Sequence, residues 1–148
     1  MKLPKYELKG EKALTVFEFV SEGPNGKIPK IIKYSKTSEK NIYNLAFGNK
    51  NDNGEIDDLA VSDNKDSEKI LATVVSTAYR FTENHPERMI LATGSTKART
   101  RLYRMGISKY ISEIKKDFEI FGFRDNSWHP FRQNIEYDAF LAKRIEKK

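Results

Sequence analysis

The sequence contains no cysteine and only two histidines, His85 and His129, which stand far apart in the chain. Without cysteine, disulfide scaffolds, thiolate zinc sites and cysteine nucleophiles are excluded. Two separated histidines exclude a multi-histidine metal site, although either one could act as a general base. We therefore expect no metal and no cofactor, and the absence of cysteine fits a reducing cytoplasm.

Long apolar stretches are also missing. The longest aliphatic cluster, residues 71–75, is far shorter than the roughly 18 residues that a membrane-spanning helix needs. Residues 1–7 are basic, but the apolar stretch of a secretory signal does not follow them. We expect a cytoplasmic protein without a membrane partner. Its 148 residues, 38% of them hydrophobic, suit one domain over residues 1–148.

The formal net charge of +6 is unevenly distributed. Residues 97–116 carry seven basic residues and one acidic residue, which equals the whole net charge of the chain. Residues 50–69 carry seven acidic and three basic residues. An anionic partner is therefore expected to bind the segment 97–116.

Hydrophobic alternation in the first half of the chain predicts an antiparallel meander of four strands. These strands are expected at residues 14–20, 27–34, 42–47 and 56–61. Asn53-Gly54 favours a tight hairpin turn before the fourth strand. Residues 49–56 also resemble the first half of a calcium loop, but the twelfth position is Ala60, which favours a plain hairpin.

The second half of the chain changes to helical periodicity. A helix, a strand, a helix and a strand are expected at about 66–86, 88–92, 97–116 and 118–123. Apolar residues at 135, 139, 142 and 145 then suggest a final amphipathic helix. The predicted fold class is α+β, with a single layer of sheet covered by helices.

The strongest local feature is the passage from Thr93-Gly94 through two hydroxyl residues into the basic helix 97–116. Free N–H groups at a helix start, together with hydroxyl and guanidinium donors, favour a phosphate or a carboxylate. The candidate anion-binding residues are Ser95, Thr96, Lys97, Arg99, Arg101, Arg104 and Lys115. The alternative is that a hydroxyl only caps the helix and the arginines only solubilise it.

Helical spacing divides this segment into two faces. The expected apolar face, which should pack on the sheet, comprises Thr100, Tyr103, Ile107, Tyr110, Ile111 and Ile114. The expected solvent-facing stripe comprises Lys97, Arg101, Arg104, Ser108 and Lys115. Since helix-turn-helix, zinc-finger and basic-zipper patterns are absent, binding to nucleic acid would depend on the phosphate backbone.

The order of elements is loosely similar to the C-terminal part of the acetyl-coenzyme A dependent N-acyltransferase fold. That fold binds the cofactor pyrophosphate on a glycine-containing loop between its fourth strand and the next helix. The corresponding segment here, Ser62 to Glu68, has three acidic residues and no glycine. The similarity is therefore one of topology and transfers no activity.

Three motifs resemble a family of small uncharacterised bacterial proteins, a domain of unknown function. They are Phe17-x-Phe19-x-Ser21-x-Gly23-Pro24-x-Gly26, Asn44-Leu45-Ala46-Phe47-Gly48, and Ala92-Thr93-Gly94-Ser95-Thr96-x-Ala98-Arg99-Thr100-Arg101-Leu102-Tyr103. The resemblance covers most of the chain and implies a bacterial or phage origin. It carries no established activity, cofactor or catalytic residue.

Three hypotheses follow. The first is a non-enzymatic module that binds nucleic acid or another polyanion through residues 97–116, as in a toxin–antitoxin or phage-defence pair. The second is an enzyme that holds a phosphate-bearing or acyl-carrier substrate near residues 94–101, with His85 or His129 as base. The third is an interaction subunit, in which the acidic residues 50–69 of one copy meet the basic helix of another copy or of a different protein.

Overall fold

In a computed structural model of the chain, residues 5–8, 10–12, 15–57, 64–94 and 96–145 are described. These parts of the chain form nine strands and two helices. In chain order they are β1 (Gly10–Lys12), β2 (Val16–Gly23), β3 (Gly26–Lys36), β4 (Ile42–Lys50), β5 (Ile56–Asp57), α1 (Ser67–Glu83), β6 (Met89–Ala92), α2 (Lys97–Ile114), β7 (Phe118–Arg124), β8 (Ser127–Pro130) and β9 (Ala139–Arg144).

The strands form one mixed sheet in the order β1-β2-β3-β4-β6-β9-β7-β8, with β5 paired to β4 beside this path. Every pairing is antiparallel except that of β4 with β6, which is parallel. Parallel neighbours need a crossover connection, and α1 lies in the connection between these two strands. As a result β4 and β6 end at the same edge of the sheet, here called the carboxyl edge.

The α+β class and the sequence β2, β3, β4, α1, β6, α2, β7 confirm the prediction. The first three strands form the expected meander, and β5 pairs antiparallel with β4. Residues 58–61 of the predicted fourth strand lie outside the described residues. The strands β1 and β8 were not predicted.

The predicted C-terminal helix is wrong, because Ala139–Arg144 forms the strand β9. This strand is inserted between β6 and β7 and pairs antiparallel with both. Residues 139–142 form a continuous apolar run, which is typical of a strand with a neighbour on each side. The helical spacing of a few alanines and isoleucines could not distinguish this strand from a helix.

Both helices pack on the same face of the sheet, and the core lies between them and that face. The inward-facing side chains of β2, β3 and β4 are large and buried: Phe17, Phe19, Ile32, Tyr34, Leu45 and Phe47. The ring of Tyr34 stacks on Phe81 of α1, with centroids 4.2 Å apart. Tyr103 of α2 meets Phe47 edge-on at 5.5 Å. Neither helix of the described chain is long and apolar enough to cross a membrane.

The buried phenol of Tyr34 makes this core less stable at alkaline pH. The Thr77 hydroxyl donates to the Val74 carbonyl at 2.7 Å, so the Tyr34 hydroxyl is the donor in its 2.9 Å bond to Thr77. Burial raises the pKa of Tyr34 well above its ordinary value of 10.0. The folded state therefore keeps this proton at a pH where the unfolded chain loses it, and the free energy of unfolding falls as pH rises above about 10.

Tyr34→Phe removes both the hydrogen bond and the titrating group. At pH 8 we expect the free energy of unfolding to fall by about 1 kcal/mol, the usual net value of one hydrogen bond. Between pH 8 and pH 11 the variant should lose less stability than the original chain. Urea denaturation across this pH range measures both effects, and an equal alkaline loss in the two proteins would contradict the assignment.

Candidate anion-binding site

Helix α2 begins at the carboxyl edge, directly after β6. Thr96 is its N-cap and accepts a hydrogen bond from the Arg99 N–H at 3.2 Å, as a capping hydroxyl should. The Gly94 N–H donates to the Thr100 hydroxyl at 3.0 Å, and that hydroxyl donates to the Thr96 carbonyl at 3.2 Å. The connection is thus folded tightly onto the first turn. The candidate residue Ser95 lies outside the described residues.

Gly94 is required by this close approach. A Cβ atom at this position would lie 2.3 Å from the Thr100 nitrogen, a separation that real Cβ atoms do not adopt. Beyond the cap, the N–H groups of Lys97 and Ala98 have no acceptor among the described residues. These groups carry the partial positive charge of the helix start.

A groove of about 530 Å³ runs beside this helix start. The first wall is α2, which contributes the basic side chains Lys97, Arg101 and Arg104. The second wall is the segment 136–138, which contributes two carboxylates, Glu136 and Asp138, on either side of Tyr137. None of these five charged side chains forms an ion pair with another residue of the described chain.

Contacts with β7 fix the second wall in place. The Tyr137 ring lies against Gly122, where a Cβ atom would come within 2.2 Å of it, so only glycine leaves room. The Tyr137 hydroxyl accepts from the Arg132 N–H at 3.0 Å. The Asp138 N–H donates to the Phe123 carbonyl at 2.8 Å. The wall is therefore held by contacts with β7 and with the Arg132 backbone.

Arg99 does not face this groove. Its guanidinium donates to the Phe47 carbonyl and lies over the Phe47 ring, 4.9 Å from the centroid. The pairing of β4 with β6 stops at Leu45, and its pairing with β5 starts at Asn49, so the Phe47 carbonyl lies between the two ladders. Arg99 supplies a donor at that position, which makes it a structural residue here.

Lys30 is a second cation near Arg99 that sequence reasoning missed. It is only 5% exposed and its ammonium donates to the Asn49 side-chain oxygen. Burial lowers the pKa of Lys30, and the nearby charge of Arg99 lowers it further. The signal was present in the sequence, because strand alternation places Lys30 on the same face as Ile32 and Tyr34.

The remaining basic residues of α2 do not join the groove. Lys115 is the C-cap and is separated from Lys97 by the length of the helix, roughly 27 Å. The Lys109 ammonium forms an ion pair with the Glu68 carboxylate of α1 at 3.8 Å. The expected solvent-facing stripe is also covered in part, because the Gln133 amide donates to the Ser108 carbonyl at 3.0 Å. The structure therefore brings together Thr96, Lys97, Arg101 and Arg104, and separates Arg99 and Lys115 from them.

Neither histidine lines the groove. His85 follows α1 and lies at the amino end of β6, on the opposite edge of the sheet from the groove. Its Nδ1 atom is 3.4 Å from a carboxylate oxygen of Glu87. His129 is exposed on β8, where its ring nitrogen lies 3.1 Å from the Ser127 hydroxyl. Within the described ranges, no three histidine, aspartate or glutamate side chains are placed to hold a metal ion.

Part of the acidic segment 50–69 is engaged inside the protein. Asp66 accepts hydrogen bonds from the hydroxyl groups of Tyr6 and Ser21, each at 2.5 Å. Glu55 and Asp57 are exposed, whereas residues 58–63 lie outside the described residues.

Comparison with known proteins gives one result. The model of Family of unknown function (DUF6934) matches residues 2–145. The chain therefore belongs to this family, in agreement with the resemblance to a domain of unknown function that the three motifs indicated. Searches of the curated proteins and of the solved structures returned no significant match.

The two neighbouring arginines of α2 should respond differently to substitution. Arg99→Ala removes the donor for the Phe47 carbonyl, so we expect the free energy of unfolding to fall by about 1.5–3 kcal/mol. Arg101→Ala changes an exposed, unpaired side chain and should alter it by less than about 0.5 kcal/mol. Urea denaturation of both variants measures the difference, and equal effects would contradict the separation of their roles.

Proposed function

We propose that this chain is a binding module for a polyanion, specifically nucleic acid, and that phosphate groups bind in the groove at the start of α2. The observation that carries the proposal is the convergence of Lys97, Arg101 and Arg104 on one groove, where none of the three forms an ion pair with the described residues. Arg99, by contrast, donates to the Phe47 carbonyl and packs on the Phe47 ring. Cations aimed at an open groove instead suit an anionic ligand.

Phosphate matches the donors of the first wall. The guanidinium groups of Arg101 and Arg104 can each form two parallel hydrogen bonds to phosphate oxygens. The N–H groups of Lys97 and Ala98 add donors at the positive end of the helix. Release of counterions from the bound phosphates would supply most of the affinity, which makes it strongly dependent on salt.

The second wall favours a nucleotide over bare phosphate. Glu136 and Asp138 repel an anion, so the phosphate lies against α2 rather than midway across the groove. Carboxylates accept hydrogen bonds from hydroxyl and amino groups, which sugars and bases provide. One ligand that satisfies both walls therefore carries phosphate on one side and hydrogen-bond donors on the other, as a nucleic-acid strand does.

The two rival hypotheses have less support from the geometry. An enzyme that uses His85 or His129 as base would need one of them near residues 94–101, and neither lines the groove. Pairing between the basic helix of one copy and the acidic segment of another is weakened because Asp66 is bonded internally and Glu68 lies beside Lys109.

Arg101→Gln/Arg104→Gln should weaken binding to nucleic acid. We would titrate the protein into short labelled single- and double-stranded oligonucleotides at about 50 and 200 mM salt, because affinity for phosphates falls steeply over this range. For a single strand, each lost phosphate contact should lower the slope of log affinity against log salt by about 0.7. The double variant should therefore show both weaker binding and a shallower slope.

Lys36→Gln/Lys40→Gln is the matched control. Both lysines are exposed and lie at the opposite edge of the sheet, and the pair removes the same amount of charge. The control should bind almost as well as the original chain. Equal weakening in the two double variants would show that only the net charge matters, which contradicts a specific site at the groove. Binding that is absent or independent of salt would also reject the proposal.

A further inference from the structure

A cavity of about 80 Å³ lies between the two helices and the sheet. Inward-facing side chains of β6, β7 and β9 form its floor, among them Ile90, Ile120 and Ala142. The two helices form its walls, with Val74 on α1 and Ile107 on α2. The residues that line this cavity differ from those that line the groove, so the two sites are separate.

Contacts on two sides of the cavity hold it open. On one side the helices touch where Leu71 packs on Gly106, and a Cβ atom at Gly106 would lie only 3.1 Å from Leu71. On another side the Arg144 guanidinium lies 4.9 Å from the ring centroids of both Tyr79 and Phe118. Protein interiors contain few voids larger than a water molecule, because side chains pack closely. This volume is therefore a feature of the fold that its surroundings maintain.

The lining of the cavity is almost entirely hydrocarbon. Among the described residues that line it, Tyr79 and Tyr103 are the two with a polar side-chain atom. The Tyr79 hydroxyl is already engaged, because it donates to the Asp117 carboxylate at 2.7 Å. A buried water needs about two to four polar partners, so the cavity favours an apolar occupant over water.

Size and access narrow the choice of occupant. An apolar cavity that admits benzene has a volume of about 150 Å³, roughly twice the volume found here. A straight chain fits, since a methylene group takes nearly the space of a water molecule, about 30 Å³, and about three of them fill the cavity. Val75, Ala78 and Ile107 are partly exposed, so the cavity opens to solvent between the helices.

We propose that this cavity binds the end of a straight alkyl chain, carried by an amphiphile whose polar group stays in solvent. The apolar lining excludes a polar ligand, the volume excludes a ring, and the opening lets the rest of the ligand lie outside. The hydrophobic effect alone supplies the affinity, so it depends on chain length rather than on charge or salt. The site does not rest on the proposed binding of nucleic acid.

A series of straight-chain alcohols from 1-propanol to 1-octanol tests the site in the unaltered protein. The methyl resonances of Leu71, Val74 and Ile107 in NMR spectra should shift and saturate as alcohol is added. The affinity should rise about fourfold for each methylene that enters the cavity, and level off once the cavity is full. Cyclohexanol, with as many carbons as 1-hexanol, should bind about tenfold more weakly than 1-hexanol, because its ring does not enter.

Variants that fill the cavity give a second readout. Ala142→Val and Ala78→Leu each add methyl groups to the lining, so the affinity for 1-hexanol should fall about tenfold. Ala46→Val is the matched control, because Ala46 lies between the inward-facing Leu45 and Phe47 and therefore points to the other face of the sheet. The control should bind 1-hexanol as the original chain does.

Three results would overturn the inference. Unchanged methyl resonances would leave the cavity as a gap in the packing. Equal affinities for 1-hexanol and cyclohexanol, or an affinity that keeps rising through 1-octanol, would show unspecific partition onto the protein. Equal binding by the filled variants and by the control would place the alcohol elsewhere. If a filled variant does not fold, the alcohol series in the unaltered protein decides, and the oligonucleotide titrations remain a separate test of the groove.

Discussion

The parallel pairing of β4 with β6 is the constraint on which the candidate site depends. Because both strands end at the carboxyl edge, α2 must begin there, beside the end of β4. The strand β9 then runs antiparallel to β6, so the segment that precedes it, residues 136–138, returns to the same edge. The two walls of the groove are therefore brought together by the order and direction of three strands. Ligands in open sheets commonly bind at such edges, outside the carboxyl ends of parallel strands.

The same constraint divides the cations of α2 between structure and binding. The helix starts above the gap between the two ladders of β4, so its side toward β4 must supply a donor to the Phe47 carbonyl, and Arg99 does so. The opposite side of the first two turns faces the groove and carries Lys97, Arg101 and Arg104. The single charged cluster of the sequence is thus divided in the fold between one structural arginine and three cations that line the groove, with different consequences for stability and for ligand binding.

Local patterns in the sequence predicted the features that depend on neighbouring residues. These include the meander, both helices, a hydroxyl N-cap from Ser95 or Thr96, and the basic side chains at the start of α2. The second wall of the groove had no such signal, because Glu136 and Asp138 reach α2 only through the pairing of β9 with distant strands. Residues 135–145 were predicted as a helix, because a short apolar run fits both the helical and the strand periodicity until the neighbouring strands are known.

The central claim is that the groove at the start of α2 receives the phosphates of a nucleic-acid strand. Amide chemical shifts in NMR spectra, followed as a short single-stranded oligonucleotide is added at low salt, test this claim without altering any residue. The largest changes should occur at Lys97 and Ala98 and in residues 136–138. Changes confined to β2 and β3, or no changes at all, would contradict the account.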